Sequence, residues 1–347
     1  MSAETFAPPY DLHACNWELT LRCTLRCVHC GSRAGRARAR ELTLDECCGV
    51  ADDLCGLACR ELTFIGGEVF LFKGWEVLAR RLAGRGVQVN IVSNGYRIRD
   101  AEIAQIREAG LVNVGLSIDG MEATHNRIRG RADAFARVRQ SLELLRAEGI
   151  RVGAVTSLMR SNCADLEALY EFLCERGVEV WQLQLVSAMG NAAGQPDLLV
   201  GPRQVRRLTG FIREKNRERR MLVLAADSIG YFDDNEAYIR GHDTPISCWA
   251  GCKAGIASVF IDSAGNVKGC GALYADAFIE GNVRERPLAD IWHAEASFAY
   301  NRKFTTALLA GRCRTCDAGD ACQGGCRSSN YFATGSLYAS AFCCRRH

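Results

Sequence analysis

The chain has 347 residues, 48% of them hydrophobic and 24% charged, with a formal net charge of +3. That composition excludes a disordered or fibrous chain and suits one large domain plus a smaller one. Charges of both signs are interspersed, so nothing points to a nucleic-acid partner. The one basic run, Arg33, Arg36, Arg38 and Arg40, reads first as a solvated loop and second as a contact for an acidic substrate segment or anionic cofactor groups. No run approaches the length of a membrane span, and the first residues lack the basic start and apolar stretch of a secretion signal, so a cytoplasmic chain is expected. Nineteen cysteines in that setting point to metal and not to a disulfide framework, because reducing compartments keep thiols free.

Residues 1–15 read as an N-terminal segment. Trp17 to Arg22 alternates like a short strand and runs into Cys23-Thr-Leu-Arg-Cys27-Val-His-Cys30. Three cysteines suit an iron-sulfur cluster with one iron left open, and an open position marks a catalytic metal. At this cysteine frequency about 0.06 such triplets arise by chance. A helix over 43–58 is opened by Thr43 with Glu46 three residues on, a capping box. Strand 61–65 leads into Gly66-Gly67-Glu68, taken alone a tight strand-to-helix turn, but also a place where backbone can approach a ligand. Strand 87–92 precedes Ser93-Asn94-Gly95, and strand 112–118 carries Ser117, followed by Asp119, His125, Arg127 and Arg129. Asp119 and Asn94 can serve simply to shape turns. A helix over 132–148 ends at Gly149, and strands follow at 151–157 and 179–186. Six βα units over 16–210 predict an α/β chain built on a partial (β/α)6 TIM-like barrel, since a complete eightfold barrel needs roughly 250 residues.

Pro202 opens a charged helix to about Arg220, and 211–247 reads as an irregular bridge. Nine of the nineteen cysteines then fall in 248–347. Ile256 to Asp262 and Val267 to Gly271 predict a hairpin, and 287–303 is the one helical stretch. The run Cys313-x2-Cys316-x5-Cys322-x3-Cys326 follows Cys270 and precedes Cys343-Cys344. Its thiolates suit structural zinc and iron-sulfur clusters alike. Cys15, Cys47, Cys48, Cys55, Cys59, Cys163 and Cys174 lie outside these motifs and read as free buried thiols.

The Cys-x3-Cys-x2-Cys loop after a first strand resembles the hallmark of the radical S-adenosylmethionine (SAM) superfamily, and the C-terminal cysteines resemble its SPASM extension; together the resemblances span residues 15 to 347. They imply a SAM-binding cluster on Cys23, Cys27 and Cys30, with His29 near the adenine, Gly66, Gly67 and Glu68 at the amino group, Ser117 near the ribose and Arg129 at the methionyl carboxylate. Ser93 and Asn94 lie at the same barrel end. They further imply two auxiliary clusters, one on Cys248, Cys252, Cys270 and Cys326 and one on Cys313, Cys316, Cys322 and Cys344, three [4Fe-4S] clusters in all. Cys343 is then spare and can exchange with Cys344, and the Cys252 to Cys270 interval is long for the pattern.

The activity implied is reductive cleavage of SAM to a 5′-deoxyadenosyl radical that abstracts hydrogen from a ribosomally made precursor peptide (RiPP), giving a crosslink or an oxidised residue. The partners implied are that peptide, a separate leader-binding protein and a flavodoxin- or ferredoxin-type reductant. The alternatives are an anaerobic sulfatase-maturing enzyme, a small-molecule dehydrogenase of the same family, and a zinc-bound scaffold without catalysis. The sulfatase-maturing branch carries an aspartate base after the cysteine that corresponds to Cys270. Here that position is Gly271, leaving Asp262, Asp276 and Asp227 as substitutes.

Overall fold

The computed structural model describes residues 10–231, 234–240 and 249–343. The chain runs β1 (Ala14–Glu18), α1 (Leu44–Gly56), β2 (Glu61–Ile65), α2 (Trp75–Ala83), β3 (Gln88–Ser93), α3 (Asp100–Glu108), β4 (Asn113–Ser117), α4 (Glu122–Arg129), α5 (Ala134–Ala147), β5 (Val152–Leu158), α6 (Leu166–Glu175), β6 (Val180–Leu185), α7 (Pro202–Glu218) and β7 (Leu222–Ala225). It continues through α8 (Glu236–Ile239), β8 (Ser258–Ile261), β9 (Asn266–Lys268), β10 (Gly281–Asn282), α9 (Leu288–His293), α10 (Ala299–Arg302), α11 (Gly319–Cys322) and α12 (Arg327–Thr334).

All the strands join one sheet in the order β10-β9-β8-β1-β2-β3-β4-β5-β6-β7. From β8 to β7 every pairing is parallel, and β9 and β10 are added antiparallel. The result is a partial barrel whose wall is lengthened at the β1 edge by the C-terminal region. One face of the sheet is apolar: Trp17, Leu62, Phe64, Val89, Ile91, Val114, Leu116, Trp181 and Leu183 are fully buried under the helices. Trp75, Leu78, Ala79 and Leu82 form the matching stripe on α2, at the spacing that puts residues on one side of a helix. The opposite face is polar. Asn16, on a strand in the middle of the sheet, is nonetheless exposed, and Thr63, Asn90, Gln182 and Gln184 are half-buried. An open chamber therefore lies inside the barrel.

The capping box forms, with Thr43 Oγ1 accepting from the Glu46 amide at 3.3 Å and Glu46 accepting from the Thr43 amide at 2.8 Å. Three expectations change. The first strand is Ala14–Glu18 and not 17–22. Its alternation continues past Glu18, but Thr20 turns away to bond Glu41 at 2.8 Å, so the ladder ends there. The bridge supplies a seventh parallel strand, β7, whose shortness hid it. The stretch 287–303 is two short helices, α9 and α10, because Ala294 to Phe298 forms a turn with Phe298 in the left-handed region at φ 56°. The described cysteines are all free thiols, and Cys15, Cys47 and Cys59 are core residues.

Candidate active site and cluster-binding loops

The loop that carries Cys23, Cys27 and Cys30 is held from three sides by the C-terminal ends of the strands. After β2, Gly67 donates to Thr20 O at 2.7 Å and Glu68 to Arg22 O at 2.8 Å. A Cβ on Gly66 would sit 2.5 Å from Thr20 O and one on Gly67 2.3 Å from Arg22 O, so this glycine pair serves the approach of the chain's own backbone. From α4, the carbonyls of Ile128 and Arg129 accept from Val28 and Arg26 at 2.9 and 3.2 Å. After β6, Asn191 donates from its backbone to Cys30 O and from its side chain to Cys27 O, both at 2.9 Å. Gly190 and Asn191 carry no motif, and only their place at a strand end could have flagged them.

The sulfurs of all three cysteines accept N–H groups. Leu25 N and Asn94 Nδ2 donate to Cys23 Sγ at 3.5 and 3.6 Å, Arg129 Nη1 to Cys27 Sγ at 3.8 Å and Ala34 N to Cys30 Sγ at 3.2 Å. Donors aimed at sulfur fit thiolate ligands of a cluster. Burial pushes the Cys23 thiol up to about 11 and the Cys27 thiol upward, so a metal must draw off their protons on binding. Among the described residues no three His, Cys, Asp or Glu side chains converge as ligands of a single ion would.

Glu68 is fully buried and accepts from Ser93 Oγ at 2.8 Å, the Asn94 amide at 3.0 Å and the Phe70 amide at 3.4 Å. It thereby fixes the Ser93-Asn94 loop against Cys23, and burial raises its carboxyl. Arg129 is buried in an ion pair, its Nε 2.7 Å from Asp119 Oδ2. Asp119, expected only to shape a turn, is the hub here. Its Oδ1 accepts from Ser157 N at 2.9 Å, its own amide donates to His125 Nδ1 at 3.0 Å, and His29 Nε2 lies 3.8 Å from Oδ2. Burial would raise its carboxyl, but Arg129 and the two histidines hold it below the usual range. Burial lowers His29 to about 4 and His125 to about 3, so both are neutral at physiological pH. Ser117 ends β4 half-buried, and its hydroxyl makes no hydrogen bond among the described residues, leaving it open to the chamber.

The C-terminal cysteines fall into two groups. Cys252, Cys270 and Cys326 feel one another's charge, and burial pushes Cys270 up to about 12. Ala272 donates to Cys270 Sγ at 3.4 Å. Cys248, expected in this set, lies outside the described residues, as does Cys344. Cys313, Cys316, Cys322 and Cys343 line one pocket. Cys343, which the sequence leaves exchangeable with Cys344, lines that pocket with the other three, and Ser340 donates to Cys313 Sγ at 3.3 Å.

The proton acceptors considered in place of Gly271 separate clearly. A Cβ at Gly271 would lie 2.7 Å from the Phe260 ring, so this packing has no room for a side chain there. Asp262 is consumed by the hairpin, accepting from Ala264, Asn266 N and Asn266 Nδ2 at 2.9 to 3.0 Å. Asp276 is exposed to solvent. Asp227, just past β7, is surrounded by protein yet accessible, and burial raises its carboxyl.

Residues 17–173 match the profile of the radical SAM superfamily, and residues 252–317 that of SPASM, an iron-sulfur cluster-binding domain. The chain is 28% identical to AdoMet-dependent heme synthase of Methanosarcina barkeri, across 95% of both. It is also 28% identical to mycofactocin maturase MftC of Mycolicibacterium smegmatis, across 95% of this chain and 82% of that one. Its fold matches Streptococcus suis SuiB bound to precursor peptide SuiA with a TM-score of 0.74 at 15% identity, covering 95% of this chain and 75% of that chain. At that identity the likeness speaks for the fold alone.

Proposed function

We propose that this chain, a radical SAM protein with a C-terminal SPASM domain, matures a ribosomally made precursor peptide, removing hydrogen from an unactivated carbon to leave a crosslink or an oxidised residue. The observation that carries the reading is the amide-rich chamber. Asn16, Thr63 and Asn90 share one row across β1, β2 and β3, with Gln182 and Gln184 on β6. Side chains that both donate and accept complement a peptide backbone, whereas a flat macrocycle calls for broad apolar walls. The similarity to a maturase over nearly the whole chain supports it.

In this reading Cys23, Cys27 and Cys30 hold the catalytic cluster, and the cluster with SAM supplies the radical chemistry when bound. The chain's own residues do the positioning. Asn191, Gly190 and α4 fix the cysteine loop, the Arg129–Asp119 pair sets positive charge beside Cys27, and Ser117 offers its hydroxyl to the cofactor. Cys252, Cys270 and Cys326 hold a first auxiliary cluster, and Cys313, Cys316, Cys322 and Cys343 a second. A precursor peptide, a separate leader-binding protein and a flavodoxin- or ferredoxin-type reductant complete the assembly. Sulfatase maturation is the weaker alternative, since Gly271 offers no proton acceptor.

A second reading, oxidation of a tetrapyrrole, is favoured by the equal coverage of this chain and the heme synthase. The test incubates anaerobically reconstituted enzyme, SAM and reductant with a short peptide encoded beside the gene, a sulfatase-motif peptide or iron coproporphyrin, and follows mass. A mass change in the neighbouring peptide alone is expected. Conversion of either of the others with no change in that peptide overturns the proposal.

A further inference from the structure

Between the two sets of cysteine ligands lies a polar group that none of the roles above uses. Glu18 ends β1, Arg38 follows the Cys23–Cys30 loop, and Lys268 and Tyr274 flank Cys270. Arg38 donates to Glu18 Oε1 from Nε at 3.3 Å and from Nη2 at 2.9 Å, and to Ser263 Oγ at 3.0 Å. Ser263 Oγ in turn donates to Glu18 Oε1 at 3.0 Å. Glu18, 2% exposed, is thus neutralised where it stands.

Two donors in this group are not spent. Lys268 is 3% exposed, and its ammonium makes no hydrogen bond or ion pair among the described residues; it lies 4.9 Å from the centre of the Tyr274 ring. An ammonium with this little exposure and no carboxylate bonded to it, only a ring face at cation–π distance, keeps its hydrogen-bonding capacity for an anion. Arg38 donates to the Tyr274 hydroxyl oxygen, so the hydroxyl's own proton points elsewhere, and no acceptor for it exists among the described residues. The acidic groups nearest Lys268 do not reach it: Asp262 is taken by the hairpin, Glu18 by Arg38 and Ser263, and Asp276 faces solvent.

Strand register decides where Lys268 faces. Lys268 pairs with Phe260, Phe260 with Asn16 and Asn16 with Thr63, so all four lie on the same side of the sheet. Their neighbours Val267 and Ile261 lie on the other side, fully buried in the core. Lys268 therefore lies on the chamber side of the sheet, in the row that contains the exposed Asn16.

We propose that Lys268 and Tyr274, braced by Arg38, form a subsite for a carboxylate of the substrate. The ammonium over the Tyr274 ring and that ring's hydroxyl supply two donors and one positive charge, which suit the two oxygens and single charge of one carboxylate. The subsite deepens the reading of this chamber as the place of radical SAM chemistry and rests on it: the substrate carries a carboxylate close to the carbon that reacts. That carboxylate is a peptide C-terminus or an acidic side chain, and the probes separate the two.

Titration calorimetry on the anaerobically reconstituted holoenzyme with SAM compares propionate with propionamide, Gly-Ala-Val with its C-terminal amide, and N-acetyl-Glu-amide with N-acetyl-Gln-amide. Each carboxylate should bind at least tenfold more tightly than its amide, and the tighter of the two peptide-type probes names the source. Lys268→Met should remove the preference, Lys268→Arg should restore most of it, and unchanged cluster absorbance in both variants shows that they fold. No preference in the wild type, an equal preference in Lys268→Met, or tighter binding of inorganic phosphate than of propionate overturns the subsite. Deoxyadenosine release from SAM by the wild type is measured alongside. Its absence overturns the reading of the chamber itself, whereas its presence with no carboxylate preference overturns the subsite alone.

Discussion

The hairpin of β8 and β9 and the segment from 311 to 343 belong to the same cysteine-rich region, yet they are held in different ways. Val259, Ile261 and Val267, with Leu288, Ile291, Trp292 and Phe298 behind them, are part of the same apolar core as Trp17 and Phe64 of the barrel. Among the described residues the last segment puts Cys322 and Cys326 into a small cluster with Tyr231 and Trp249, touches the main core through Phe342, and has an α11 of four residues. Arg327, fully buried, ties α12 back to Asn301 through Nε at 2.7 Å. The hairpin is thus an annex of a hydrophobic core, while the tail adds little to it, and its order is expected to depend on a metal group at its cysteines.

Iron removal should break this comparison most sharply. Chelation under reducing conditions is expected to expose 311–343 to protease and to hydrogen exchange while β1 to β8 stay protected. Loss of protection throughout the chain would show that the barrel, too, is folded by its metal.

The barrel's polar hub is the next lever. Asp119→Ala leaves the Arg129 guanidinium buried without its partner, and removing one member of a buried pair costs about 3–5 kcal/mol. Urea unfolding of the apoprotein should show a loss of that size, whereas a similar substitution at the exposed Arg107–Glu148 pair should cost well under about 1 kcal/mol. Equal effects at the two sites would mean that Arg129 finds other company when Asp119 is gone.

The difference between the two regions also explains what could be read in advance. Where an element is long enough to repeat its pattern on the common core, periodicity revealed it: β2 is Glu61–Ile65 as expected, and α1 begins at the Thr43 cap. β7 was hidden because four residues carry too little pattern, and the stretch after Trp292 misled because its apolar residues line a turn and not a helix face. At the site, cysteine spacing flagged the candidate ligands directly, since ligand chemistry constrains residue type. Asp119 was legible only as a turn residue and Lys268 not at all, because a buried charge gains its meaning from residues far away in sequence: Arg129 and His29 for the first, strand register with Asn16 for the second. Gly66 and Gly67 were legible as glycines that something approaches, but not as glycines approached by the chain itself.

The smallest expected effect concerns the joint between the two regions. Arg284, just past β10, donates to Glu46 of α1 from Nε at 2.5 Å and Nη2 at 2.8 Å, and also to the carbonyls of Arg40 and Glu41 at 2.9 and 3.0 Å. Hydrogen bonds from Arg284 lower the Glu46 carboxyl from its ordinary 4.5 to about 2. A depressed acid adds stability that is complete above its unfolded value, so this contribution is full at neutral pH and fades as pH falls from about 4.5 toward 2. The Glu46 side chain is 35% exposed, and solvent screening holds the pair to about 1 kcal/mol. Glu46→Gln keeps a capping box, because glutamine also reaches back to the Thr43 amide, and removes only the ion pair. The variant should therefore lose about 1 kcal/mol in urea unfolding near pH 7, and the gap to the wild type should close as the medium is acidified toward pH 3. A gap that persists unchanged in acid would assign Glu46 to the helix cap alone and leave the joint to the backbone carbonyls that Arg284 holds.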